Sequence, residues 1–596
     1  MILQALHDYY QRKQRSDDPK DRLPAFGLEE KEIPFVIEID REGTVVNLSD
    51  TRSGDGKKKA GQRFLVPQGV KKTSGIAANL LWDNAEYVLE IPDAKKLEAK
   101  RAKGEEEDYL SRLQEMRAEF VKQIDGLPDE ARADPGLTAV RAFLVAGDLS
   151  FLEQQSAWND ILATNPILTF RLHGDVELVC QRPAVTAAAE GSGEEEDGPA
   201  GTCLLTGVTA PIERLHPAIK GVWGAQTSGA NIVSFNCRAF ESYGKTQRQG
   251  ENAPIGKPAV FAYTTALNHL LAKDSRQRVQ VGDASTVFWA EQPHDLEMMA
   301  ADLFGEPPKD QPDRGTDALK ALYQSIESGK FAMGGTDTRF HVLGLAPNAA
   351  RISIRFWETA PAYELAQRLK RHFDDIQIAR SAYDSEHLSL FRLLTAVAVQ
   401  GKADNIPPNL GGDIMRAILE DLPYPATLLN AAVQRCRAEQ RVTHARAAAL
   451  KAWLNRDIRR PNRHKPNPEK EFAVMLDPDN ADAAYRMGRL FAVLEKIQEE
   501  ANPGINATIR DRYYGAASSS PATVFPLLLK LAGHHIGKLD EKGRRMLYRA
   551  FSDHKPDDYI GQVLSQVRDI PRQLRLPEQG RFALGYYHQR QAFFTK

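Results

Sequence analysis

Residues 222–252, VWGAQTSGANIVSFNCRAFESYGKTQRQGEN, gather Gln, Thr, Ser, Asn, Gly and Lys beside aromatics, with Glu241 and Glu251 as the only acids. Amides and hydroxyls on a glycine-punctuated backbone suit close approach to phosphates, sugars and base edges. The candidates here are Gln226, Thr227, Ser228, Asn231, Asn236, Tyr243, Lys245 and Gln247. A second tract, GKKKAGQRFLVPQGVKKTSGIAANLLW (56–82), carries Lys57, Lys58, Lys59, Arg63, Lys71 and Lys72 and no acid. Its lysines run into Thr73 and Ser74 before Gly75, a hydroxyl pair able to hold a phosphate. Asn79 follows, a side chain that can read adenine through two hydrogen bonds, whereas Trp82 reads as core. A third basic run, 435–465, sets ten Lys and Arg against Glu439 and Asp457, a local charge of +8. A solvated helix face normally mixes acids among its bases. Arg437, Arg441, Arg446 and Lys451 are therefore candidates for tracking a phosphate backbone. These three tracts predict a nucleic-acid surface.

Other chemistry finds less support. The GKT of SYGKT (242–246) lacks the glycine that a phosphate loop needs five positions before Gly244, since Ala239 stands there. His7-Asp8 and His294-Asp295 could each seed a two-metal hydrolase site, but no further ligands converge in sequence. His294 instead marks a helix start, with Asp295 expected as its cap. Cys180, Cys203, Cys237 and Cys436 form no CxxC pair, which argues against a disulfide framework and leaves a zinc turn without near partners. No metal and no cofactor is expected, and the reading is of a protein that is not an enzyme.

The elements that must position these residues follow from pattern and bulk. A chain of 596 residues exceeds one ordinary domain, and 78 Lys and Arg against 80 Asp and Glu leave a net charge of −2 with segregated signs. IPFVIEID and TVVNLS predict a hairpin turning near Glu42-Gly43, and PILTFRLHGD then VELVCQRP predict two more strands. Residues 104–155 read as charged helices. Residues 187–201, acidic and rich in small side chains, read as a mobile surface loop. STVFWAE (285–291) and FHVLGLAPNAARISIRFW (340–357) read as strands, and beyond about 360 the apolar spacing is helical. The expected fold is α+β: a mixed N-terminal region, 1–375, then an all-α helical-bundle region divided into 376–465 and 475–596. Pro461, Pro466 and Pro468 supply the linker between those two. No apolar stretch reaches membrane-span length and the N-terminus has no signal-peptide pattern, so a cytoplasmic protein without membrane contact is expected.

Over essentially its whole length the chain resembles the large subunit of the type I-C CRISPR surveillance complex, Cascade. The strings that carry the resemblance are MILQAL, IPFVIEID, RFLVPQGVKKTSGIAANLLWDNAEYVL, CLLTG, LHPAIKGVWGAQTSGANIVSFN, AFESYGKTQ, AYTTALNHLL, VFWAE, GLAPNAARISIRFW and FALGYYHQRQAFF. The resemblance implies a non-catalytic subunit for antiviral defence that recognises the protospacer-adjacent motif in duplex DNA. It implies help in opening that duplex, in holding the displaced strand of the R-loop and in recruiting a separate helicase-nuclease. The implied partners are crRNA, target double-stranded DNA, the displaced single strand, and the backbone, crRNA-processing and small subunits. Base pairing would read the target and protein only the adjacent motif, a division of labour known from other RNA-guided effectors. The resemblance also implies that the small subunit is made from inside the large one. Glu469-Lys470-Glu471, encoded by purine-only codons, precedes Met475 at ribosome-binding distance, making Met475 an internal start candidate that would yield 596 − 475 + 1 = 122 residues. Two rival readings differ in kind: a metal-dependent nuclease built on His294-Asp295, and an assembly scaffold whose bases touch crRNA or other subunits.

Overall fold

The computed structural model describes every residue except 55–59, 71, 73–74, 193–199, 246–247, 334–337, 463–468 and 595–596. Contacts group the chain into two compact units, one of residues 3–217 and 233–266, the other of 218–232 and 267–596.

In the first unit β1 (Leu28–Ile33) is followed by the predicted hairpin, β2 (Phe35–Ile39) and β3 (Val45–Asp50). Gly43 closes the turn at φ +86°, where a Cβ would lie 2.7 Å from the Phe143 backbone nitrogen, so glycine is required there twice over. β4 (Gln62–Pro67) pairs antiparallel with β1, and β5 (Trp82–Asn84) pairs with β6 (Ile167–Leu172). β6 lies parallel to β2, giving a four-stranded sheet in the order β3-β2-β6-β5. Phe35, Val36, Ile37 and Ile39 are all buried, the near-continuous apolar run of a strand covered on both faces. The helix Glu106–Asp125 buries Tyr109, Leu113, Met116, Phe120 and Ile124, a stripe at three- and four-residue spacing. VELVCQRP does not form the second strand expected of it. Only Leu178 bridges to Arg171; a 3-10 turn follows at Val179–Gln181, then the helix Pro183–Ser192. Pro183 stands at the first position of that helix, where its missing N–H costs nothing. That helix occupies the start of the expected acidic loop, whose residues 193–199 lie outside the described ones, and a short ribbon of β7 (Ala200–Thr202) and β8 (Thr209–Pro211) follows.

The second unit holds β9 (Arg278–Val281), β10 (Ala284–Ala290), β11 (Arg339–Asn348) and β12 (Arg351–Pro361) as one antiparallel sheet in sequential order. After Pro361 the described chain is helical, as the sequence pattern predicts. The helices Ala483–Ala501 and Leu576–Ala592 cross so closely that a Cβ on Gly488 or Gly585 would collide with a carbonyl of the other helix. Helices from both sides of the proline-rich segment 459–472 join one apolar cluster: Leu429, Leu450 and Leu454 lie around Gly580. The helix His444–Asn462 extends into that segment, and residues 463–468 lie outside the described ones. Directly beyond, Phe472 clasps the Asn455 side chain with its backbone N–H and C=O at 2.8 and 3.0 Å, and Glu471 meets the Arg459 guanidinium at 2.6 Å. Among the described residues no helix is long and apolar enough to cross a membrane.

Candidate nucleic-acid interface

Described residues on either side of positions 71, 73 and 74 are held by hydrogen bonds and ring contacts. On one side the Trp82 indole N–H donates to the Pro67 carbonyl at 2.8 Å. The Lys31 ammonium lies 4.8 Å from the Trp82 ring centre. On the other, the Asn79 side chain accepts from the Val70 N–H at 2.9 Å, and the Asn79 N–H donates to the Asp83 carboxylate at 2.9 Å. Asn79 is only 5 % exposed. Its amide oxygen is thus engaged in closing the loop, the role of a staple and not of an outward-facing reader of bases. Lys72 donates to both oxygens of buried Asp83 at 2.7 Å, and its ammonium sits 3.7 Å from the Tyr87 ring centre. Arg63 lies on β4 opposite Glu32 of β1. Lys57, Lys58, Lys59, Lys71, Thr73 and Ser74 lie outside the described residues. The sequence signal for the staple was present but misassigned: Asn79 and Asp83 are four apart and flank Trp82.

The polar tract 222–252 reads as one segment but belongs to two bodies. Gln226, Thr227, Ser228 and Asn231 fall in the second unit, and Asn236, Tyr243 and Lys245 in the first. In the second unit a turn from Gln226 to Gly229 (N–H to carbonyl, 2.9 Å) presents Gln226, Thr227 and Ser228 to solvent. Gly229 takes φ +94°, and a Cβ there would lie 2.8 Å from the Ile219 carbonyl. An Ile219–Ala230 bridge closes this turn, and the Asn231 backbone pairs with the start of β12. Trp223 beside it is 58 % exposed, with its backbone N–H donating to the Ser285 hydroxyl at 2.9 Å. The turn is therefore a polar tip with an accessible indole, held on a rigid sheet.

In the first unit Tyr243 stands 98 % exposed at φ +55°, a backbone state that disfavours a large side chain by about 1–2 kcal/mol. Asn252 holds this loop by accepting from the Ser242 N–H and donating to the Lys245 and Gln249 carbonyls. Sequence reasoning passed over it, and nothing but its place at the tract's end could have flagged it. The Lys245 ammonium turns back to the Glu251 carbonyl at 2.7 Å. Asn236 is exposed, and Thr246 and Gln247 lie outside the described residues.

The basic run 435–465 is where placement departs most from the pattern. Arg446, 4 % exposed, donates to the Ala396 and Arg441 carbonyls and to Glu439. Lys451, 2 % exposed, donates to the Asp375 carbonyl at 3.0 Å, and burial holds its pKa below the usual lysine value. Arg456 and Arg459 converge on buried Asp375 at 2.8 Å each. Besides Glu439, the acids that balance this run, Asp375 and Glu471, come from outside it, so a count over adjacent residues cannot see them. Arg446 and Lys451 thus serve the interior of the helical unit, while Arg437 and Arg441 remain on its surface.

Among the described residues no group of three or more His, Cys, Asp or Glu could hold a metal ion. Asp295 does not cap its helix; the His294 imidazole accepts from the Leu296 N–H at 3.1 Å, and Asp295 pairs with Lys330. Cys180, Cys203 and Cys436 are buried free thiols, and Cys237 is an exposed one.

Comparison with curated proteins finds no match. A family model described as CRISPR-associated protein (Cas_Csd1) matches residues 6–594. With both units covered almost from end to end, the chain belongs to this CRISPR-associated family, the large subunit of the type I-C surveillance complex.

Proposed function

We propose that this subunit recognises the protospacer-adjacent motif in duplex DNA, helps open it, and presents the complex to the separate helicase-nuclease without performing catalysis itself. The observation that carries this reading is the pair of anchored polar tips. One is the lysine loop stapled by Asn79, Asp83 and Trp82; the other is the Gln226–Ser228 turn beside exposed Trp223. Lysines supply salt-dependent affinity for any phosphate backbone, and amides and hydroxyls supply discrimination between base edges. Residues 1–375 would then read the motif and dock on the crRNA, the helices of 376–465 would add basic surface, and 475–596 would act as the small-subunit-like part. The same segment, made separately from Met475, would supply the small subunit.

The test is electrophoretic binding of the assembled complex to a target duplex bearing a permissive or a scrambled adjacent motif. Lys71→Ala should weaken binding to both duplexes, because phosphate contact is blind to sequence. A Gln226→Ala/Ser228→Ala variant should narrow the gap between them by about tenfold, the effect of about 1.4 kcal/mol of lost base discrimination. Unaltered binding by an intact complex in both variants would sink the reading. Failed assembly with normal binding by whatever complex forms would favour a scaffold.

A further inference from the structure

The sheet of the second unit ends on a long strand edge. β12 runs for eleven residues at the outside of the order β12-β11-β10-β9, where edge strands are ordinarily short, covered or broken. The Ala362 N–H donates to the Thr338 carbonyl at 2.9 Å, so by the alternation of an antiparallel ladder Ala360 and Glu358 also bond to β11. Trp357 and Thr359 then turn their N–H and C=O groups away from the sheet. Among the described residues no backbone group outside the sheet bonds to them. The chain itself adds a residue to the start of this edge. The Asn231 N–H donates to the Ala350 carbonyl at 3.2 Å and its carbonyl accepts from the Ile352 N–H at 3.0 Å, a parallel bridge to Arg351. That pairing stops after one residue and leaves the stretch from Phe356 to Ala360 open.

Beside the open stretch a cleft of about 220 Å³ lies between β12 and the end of the helix Leu410–Leu419. That is below the ~300 Å³ at which small-molecule pockets begin, and suits a single side chain. Phe356 and Leu419 give it apolar walls, and Glu358 and Glu420 bring two carboxylates to it. Glu358 is 3.2 Å from Arg368 and Glu420 is 2.7 Å from Arg416. Burial raises the Glu358 pKa above the ordinary carboxylate value, with Arg368 opposing and the Glu420 charge adding to the rise. A lysine or arginine from outside would lay its stem on Phe356 and Leu419 and its head between the two carboxylates. On the other face of β12, Ile354 is 44 % exposed and Trp357 stacks on His341 with ring centres 5.3 Å apart. Ile354 and Trp357 pair with Leu345 and Leu343, two apart on β11, and so form one apolar shelf.

We propose that β12 receives an extended segment of a partner protein as a fifth strand, with a lysine or arginine of that segment in the cleft and an apolar neighbour on the Ile354–Trp357 shelf. The occupant is an extended chain because only a strand offers carbonyls and N–H groups at the spacing at which Trp357 and Thr359 present theirs. The inference rests on the family's place in a complex of several subunits. It uses no residue of the adjacent-motif reading and stands or falls apart from it.

The test is residue-resolved hydrogen exchange on the free full-length chain, on the assembled complex, and on that complex with target duplex and helicase-nuclease added. The Trp357 and Thr359 amides should exchange about tenfold or more slowly in an assembly than in the free chain. Glu358 and Ala360, already bonded to β11, should exchange slowly throughout. Thr359→Pro removes one outward N–H and a hydroxyl that has no partner among the described residues. A sheet edge tolerates proline, so the thermal midpoint should stay at the wild-type value while the Trp357 amide returns to its free-chain rate. Thr359→Val keeps the N–H and should keep the protection. Glu420→Arg repels the incoming cation without touching the backbone. It should remove the protection about tenfold as well, and it decides the matter where the proline variant is less stable. Equal exchange of Trp357 and Thr359 in all three samples would overturn the proposal. So would protection that survives both Thr359→Pro and Glu420→Arg, which would mark plain burial without strand pairing. Protection that grows with concentration of the free chain would give the edge to a second copy and overturn it too.

Discussion

Lys72 shows how residue type and residue role part company. In the sequence it is one of six bases in an acid-free tract, equivalent to Lys71 beside it. In the fold its ammonium is bound by both oxygens of an Asp83 carboxylate that is buried and also holds the Asn79 N–H. Removing the lysine leaves a buried carboxylate without its counter-charge, and such a change is costly even when one partner reaches solvent. Lys72→Ala should therefore destabilise the first unit by about 2 kcal/mol, read as a lower denaturant midpoint at unchanged slope. Lys72→Ala/Asp83→Asn should recover part of the loss, because the orphaned charge goes with its partner. A wild-type midpoint for Lys72→Ala would show instead that this lysine is free to serve a ligand. A Lys71→Ala/Lys72→Ala double variant would confound the two effects, so the lysines are to be tested singly. The tract's location was legible in composition. The division of labour within it was not, since it depends on an aspartate eleven residues away.

At the scale of elements, periodicity carried most of the information. The 33–48 hairpin, strands β10 to β12 and the helices beyond Pro361 follow from alternation or from three- and four-residue spacing. What failed was a strand read into VELVCQRP, where the chain turns into a 3-10 helix after Leu178 and a new helix starts at Pro183. The pairing of helices Ala483–Ala501 and Leu576–Ala592 lay beyond any local pattern, because it joins segments about 90 residues apart through Gly488 and Gly585. That pairing buries His588, with its Nδ1 2.8 Å from the Tyr485 hydroxyl. Burial, reinforced by the nearby Lys451 ammonium and opposed by Asp477, pushes the His588 pKa down to about 3. The folded state thus keeps this imidazole neutral while an unfolded chain protonates it near the ordinary value of about 6.5. Stability is unaffected above that pH and falls as pH drops below it, by up to about 1.4 kcal/mol per pH unit for this one proton. Urea unfolding between pH 7 and 5 should show that decline. His588→Gln, which cannot titrate, should flatten the profile by one proton. An identical pH slope in the variant would mean the ring is already solvated.

For the molecule as a whole, the question is whether one chain can serve as two proteins. Met475 lies 56 % exposed between the 444–462 and 483–501 helices, so its side chain holds no core together. A product beginning there keeps both crossing helices with their glycine contact and the Tyr485–His588 pair. It loses Phe472, whose ring centre lies 5.6 Å from that of Tyr485, and the Glu469 carboxylate 3.0 Å from Arg581. It also loses the cover that Leu429, Leu450 and Leu454 give around Gly580. The apolar side so bared must be buried again by other subunits, or the short product will aggregate. Replacing Met475 with leucine, through a codon that cannot initiate, should abolish a product of 596 − 475 + 1 = 122 residues in cells. The full-length chain should keep its thermal midpoint within about 1 °C, since a surface substitution of similar volume moves stability by less than about 0.5 kcal/mol. Supplying the 475–596 segment from a second gene should restore any lost defence. Persistence of the short product after the codon change would place its origin in proteolysis within the 469–477 strap. A full-length chain that sufficed alone would leave the C-terminal helices with only their covalent role.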